Sequence, residues 1–135
     1  MRKSLREILA GSSASDVVNE LEAILREVAE ELRPVSIIVC GSLAKGKFVR
    51  GLSDIDILVV VPRDVPKDRR FALRVAKDID VEITVVSVTE LKNALEKGNQ
   101  FYRDAIESGV EVYGDLSKWL SIEGESEGRY RARAP

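Results

Sequence analysis

Apolar residues along this chain follow two kinds of pattern, and the switches between them outline its elements. Val17, Leu21, Ile24, Leu25, Val28 and Leu32 recur every three or four positions up to Pro34. That is the spacing of one face of an amphipathic helix, and the proline marks its end. Val35 to Cys40 and Ile57 to Val61 are instead nearly unbroken apolar runs of strand length, the mark of strands covered on both faces. Val81-Glu82-Ile83-Thr84-Val85-Val86 starts by alternating, which predicts a third strand. A short helix over 4–10 precedes the long one, with Gly11-Ser12-Ser13-Ala14-Ser15 as the break. Phe71, Val75 and Ile79 stand four apart after the turn Pro62-Arg63-Asp64-Val65-Pro66, so a further helix is expected over 67–79. Thr89 is expected to cap a helix running to Lys97, and 99–108 reads as another helix closed by Gly109. A fourth strand follows over 110–113. Strands alternating with helices define an α/β domain with a small mixed sheet. The expected division is a single domain over 1–120 and a flexible polar tail over 121–135.

Composition removes several classes of function. The chain has 135 residues and a hydrophobic fraction of 44%, ordinary for one globular domain. No apolar stretch reaches the ~18–20 residues that span a bilayer. The start, Met1-Arg2-Lys3-Ser4-Leu5, lacks the apolar core of a signal peptide, so a cytoplasmic location is expected. Cys40 is the sole cysteine, which excludes an internal disulfide and reads as a buried small hydrophobe. Histidine is absent, and with it go His-ligated zinc, Ser-His triads and His general bases. A metal would have to be held by oxygen, which suits Mg²⁺ or Mn²⁺. The net charge of −2 argues against a nucleic-acid-binding polycation, and Arg129-Tyr130-Arg131-Ala132-Arg133 reads as a solvated terminus. Charged residues make up 33% of the chain, a share resembling that of thermophile proteins with surface ion-pair networks.

The candidate chemistry lies between the first two strands. Gly41-Ser42 closes one apolar run, and Ser53-Asp54-Ile55-Asp56 opens the next. In a strand, Asp54 and Asp56 project from the same face with β-carbons about 6–7 Å apart. Carboxylates held that way can bridge two hard cations. On their own they could equally be solvated acids on a half-exposed strand, but two acids heading a covered strand are costly without cations. Glycine followed by a hydroxyl residue lets a phosphate approach the backbone. The linking segment 43–52 carries Lys45, Lys47 and Arg50 and no acid, which suits a polyphosphate; Lys45 and Lys47 could as well be a flexible surface pair. Ser53 reads as a cap of the turn before the strand. Asp80 and Glu82 share one face of the third strand, and either could supply a third carboxylate, with Glu82 favoured because it lies inside the strand.

These motifs resemble the nucleotidyltransferase superfamily that includes polymerase beta. Its signature is an apolar strand, Gly-Ser, a spacer of about ten residues and Asp-x-Asp in a second strand. The likeness covers Val35 to Gly114 and is nearest to the short minimal nucleotidyltransferases, though eleven residues here separate Ser42 from Asp54. The resemblance implies the nucleotidyltransferase palm, an α/β fold whose small mixed sheet has helices packed on one face and acids on the other. It implies transfer of a nucleoside monophosphate, AMP from ATP, to a hydroxyl. Two Mg²⁺ or Mn²⁺ ions would lie at Asp54, Asp56 and Glu82, with nucleotide phosphates at Gly41, Ser42, Lys45, Lys47 and Ser53. It further implies a small all-helical HEPN protein as partner, with one of its tyrosines as acceptor, in an antitoxin role. Because the chain lacks the extra helical domains of larger relatives, a partner or a homo-oligomer is expected to supply acceptor recognition. The alternative is a catalytically weak module that binds nucleotide or a partner on the same palm.

Overall fold

A computed structural model describes residues 4–125 of the chain. Local chemistry sets the boundaries of the first helices. Helix α1 (Leu5–Ala10) begins in a reciprocal capping box: Ser4 accepts the Glu7 N–H, and Glu7 accepts the Ser4 N–H. A 3₁₀ turn over Ser15–Val17 leads into α2 (Val18–Leu32), which ends where Arg33 turns left-handed before Pro34.

The sheet has five strands: β1 (Ser36–Cys40), β2 (Ile55–Val61), β3 (Phe71–Ala76), β4 (Ile79–Ser87) and β5 (Val110–Gly114), in the order β3-β4-β2-β1-β5. β2 and β4 are parallel, and the other three pairings are antiparallel, so the sheet is mixed as expected.

Alternation sorts the side chains. Ile37, Val39, Ile55, Ile57, Val59, Val61, Val81, Ile83 and Val85 point to one face, where α1, the 3₁₀ turn and α2 seal them with Leu9, Val17, Leu21 and Ile24. Ile38, Cys40, Leu58, Val60 and Val86 point to the other face. There Val88 and Leu91 of α4 (Val88–Glu96), Ala105 of α5 (Gln100–Ser108) and Leu116 of α6 (Leu116–Glu125) cover them. Helices therefore pack on both faces, which corrects the expectation of a single covered face. The second layer covers only part of its face and leaves the remainder of the sheet open.

Three local expectations are also corrected. Residues 67–79 form no long helix but a 3₁₀ turn (Lys67–Arg69), strand β3 and the start of β4. The four-residue spacing of Phe71, Val75 and Ile79 fits period two as well as period 3.6, and Leu73 between them completes a strand face. The β3–β4 hairpin turns at Lys77-Asp78, with Lys77 left-handed at φ 57°, a turn without the usual Asn or Gly signal. Helix α4 is capped by Ser87, whose hydroxyl accepts the Glu90 N–H at 3.0 Å, and not by Thr89. Helix α6 carries regular structure into the segment expected as a tail; residues 126–135, with the basic aromatic stretch, lie outside the described residues.

Candidate active site

The register of the sheet lines up one row of side chains on the partly open face. Cys40 pairs with Asp56, Asp56 with Glu82, and Glu82 with Leu73. Neighbouring strands lie about 4.8 Å apart, so Asp56 and Glu82 stand side by side. Asp54 precedes β2 by one residue, and both aspartates are close enough to Glu82 to shift its carboxyl. Asp80 lies two residues further out, opposite Val75. Of the two candidate third acids, the structure brings Glu82 to the aspartates.

The three acids crowd one another. The Glu82 carboxyl is raised above its usual range, first by its hydrogen bond with Asp54, then by burial and the charges of Asp56 and Asp54. Asp56, half-buried, is raised mainly by burial and then by Asp54. Among the described residues no three acids already converge as a finished metal site. The donor set nevertheless fits a hard divalent cation: all ligands are carboxylate oxygens, and a cation would relieve the repulsion that helps raise Glu82 and Asp56.

Gly41 lies beside this row. It opens the one-turn helix α3 (Gly41–Ala44) with φ +71°, and a β-carbon there would collide with the Asp56 carboxylate. Glycine is thus needed twice, for its dihedral and for the close approach of Asp56. Ser42 is partly exposed on the same turn, and its carbonyl accepts the Lys47 N–H at 2.8 Å. Lys45 follows α3 and holds Asp104 of α5 at 2.8 Å. The Lys47 side chain is exposed. Ser53 closes the loop, its hydroxyl accepting the Val49 N–H at 3.0 Å.

Cys40 is buried, and its thiol is pushed up to about 12 by burial and by the charges of Asp56 and Asp104. Asp104 therefore sits within electrostatic reach of Cys40, at the β1 end of the row. Sequence reasoning missed Asp104 because nothing local links α5 to the Gly41 turn. It also missed Leu73 as the fourth member of the row, because β3 read as helix.

A family model described as "Nucleotidyltransferase domain" matches residues 21–123. The chain belongs to this nucleotidyltransferase family, and the small mixed α/β sheet is consistent with that fold. Membership carries nucleotidyl transfer as the general activity and a nucleotide as substrate. No curated protein matches the chain. No helix among the described residues is long and apolar enough to cross a membrane.

Proposed function

We propose that this chain transfers a nucleoside monophosphate, AMP from ATP, to a hydroxyl acceptor with release of pyrophosphate. The observation that carries the reading is the cross-strand placement of Asp56 and Glu82 beside the Gly41-Ser42 turn. Gly41 and Ser42 bind the β- and γ-phosphates through backbone N–H groups and hydroxyl, and Lys45 and Lys47 add positive charge. Ser53 keeps the loop closed. Asp54, Asp56 and Glu82 would hold two Mg²⁺ or Mn²⁺ ions, which lower the pKa of the attacking hydroxyl and neutralise the leaving pyrophosphate. Glu82, on the β3 side of the row, stands nearest the acceptor and takes the hydroxyl proton. The family resemblance adds a HEPN-type helical partner with a tyrosine acceptor, in an antitoxin role.

The alternative is a module that binds nucleotide or a partner on the same palm without turnover. Incubation with α-labelled ATP and Mg²⁺, with candidate protein and RNA acceptors, separates the two. Label is expected on an acceptor with wild type and not with Asp54→Ala or Asp56→Ala. Nucleotide binding by calorimetry without any labelled product would leave the binding module.

A further inference from the structure

We propose that this chain forms a two-fold dimer by pairing β3 with β3 of a second copy, antiparallel and centred on Leu73, so that two five-stranded sheets become one. The inference goes beyond the transfer reading and stands without it. Among the described residues β3 is an edge strand that pairs only with β4. The Val85 N–H donates to the Arg70 carbonyl at 2.8 Å, which fixes the phase of the ladder. Ala72, Arg74 and Ala76 accordingly bond toward β4, and Phe71, Leu73 and Val75 turn their N–H and C=O groups to the open side. Those same three residues form an apolar stripe on the face of the acid row, exposed by 74%, 62% and 58%. Open backbone groups and uncovered hydrocarbon thus fall on one set of residues.

Edge strands are ordinarily guarded by charge, proline or a bulge. The β3 stripe carries none of these. The one charged side chain within the strand, Arg74, points to the opposite face, where Glu27 holds it at 2.9 Å. At the other edge, β5 is guarded by a break in its register against β1.

Symmetry decides the occupant. A two-fold through Leu73 sets it opposite the partner's Leu73, and sets Phe71 opposite the partner's Val75, an aromatic–β-branched pair formed twice. All three are outward-facing positions, so each facing pair exchanges both of its N–H···O bonds. On the other face Arg74 meets the partner's Ala72, and no like charges stand opposite within β3. Residues 126–135 are a poor match for the stripe, with one large apolar side chain, Tyr130, among three arginines. Pairing also brings the two sites into line. Leu73 ends the row that starts at Cys40, and the two-fold continues it into the partner's Leu73 and the partner's Glu82. The two Glu82 residues then stand three strand spacings apart, about 14 Å. A cleft of about 690 Å³ lies over β3 and β4, lined by Phe71, Leu73, Glu82, and Phe101 and Tyr102 at the start of α5, among others. The second copy's stripe becomes its outer wall.

The interface is small, so association is expected at micromolar rather than nanomolar concentrations. The test is sedimentation equilibrium of the full chain from about 1 to about 500 µM, with amide hydrogen exchange read over the same range. Wild type is expected to dimerise, and the Phe71, Leu73 and Val75 N–H groups to gain protection as concentration rises. The Ala72 and Arg74 N–H groups should be protected throughout. Leu73→Lys sets two ammonium groups face to face and should leave a folded monomer by circular dichroism. Phe71→Asp and Val75→Lys should each be monomeric alone and should pair when mixed, because the mixture sets acid opposite amine. A wild-type chain that stays monomeric overturns the proposal. So does a dimer whose stripe amides exchange freely, which places the contact elsewhere, or a failure of the two variants to pair. Stripe protection that ignores concentration means that residues 126–135 cover it, and overturns the proposal as well.

Discussion

Asp56 is the residue on which packing and chemistry compete most directly. Its carboxylate lies against the backbone of Gly41, beside Glu82 and near Asp54, and burial disfavours its charge. Asp56 and Glu82 both have folded-state pKa values raised above their ordinary ones. The stability linked to them is therefore present at low pH and lost as pH rises through and above the carboxylate range. Asp56→Asn keeps the shape and removes a charge, so at neutral pH the variant should melt no lower than wild type and should not transfer nucleotide. Millimolar Mg²⁺ should raise the wild-type melting temperature and the variant's much less, because a ligand bound only by the folded state stabilises it. A variant with full activity and full metal response would reduce the acids to surface charges. Cys40 gives a second test. Its thiol is raised from 9.0 to about 12, so its share of stability is complete below about 9 and fades as pH climbs toward about 12. A thiol reagent at pH 9 should modify the native protein far more slowly than the unfolded chain.

At the scale of elements, legibility in the sequence followed periodicity. Helix α2 and strands β1, β2 and β4 were legible because their apolar spacing admits one period. Parity then placed Asp54 and Asp56 on one face of β2, and Asp80 and Glu82 on one face of β4; that these faces coincide follows only from the β2–β4 pairing. β3 was not legible, since Phe71, Val75 and Ile79 satisfy both periods and Lys77-Asp78 is an unusual hairpin turn. Covering of both faces was hidden too, because it depends on where α4, α5 and α6 return. The same return creates the Lys45–Asp104 pair, which joins the phosphate turn to the helix whose start walls the cleft. Asp104→Asn frees the Lys45 ammonium for the phosphates, and the KM for nucleotide should fall about fivefold with kcat unchanged, the scale of one partly exposed charge contact. In a Lys45→Met background the same substitution should do nothing more. Additive effects of the two changes would show that Asp104 acts elsewhere.

Over the whole molecule, a single side chain ties distant parts together. Arg50, in the loop between the two motifs, pairs with Asp16 before α2 and with Asp78 in the β3–β4 turn, and donates to the Ser13 carbonyl at 2.9 Å. Both carboxylates are held below their usual range, first by their hydrogen bonds with Arg50. Stability linked to them is present above that range and lost as pH falls through it, the opposite sign to the acid row. Arg50→Ala should therefore lower the melting temperature at neutral pH and flatten its decline on acidification. Melts across the acidic range would read this, and an unchanged pH profile would dismiss the clamp.

The row Cys40–Asp56–Glu82–Leu73 also acts as protection against error. Sliding β4 past β2 by one residue would drive Glu82 into the core and expose Ile83 and Val85. Each such slip buries an unpaired carboxylate and uncovers two large hydrophobes. Misaligned chains are thus rejected during folding by the same burial that holds the finished sheet. Substitutions can retune this site one side chain at a time, whereas a one-residue insertion between Val81 and Ile83 would change the parity of the strand and dismantle the row.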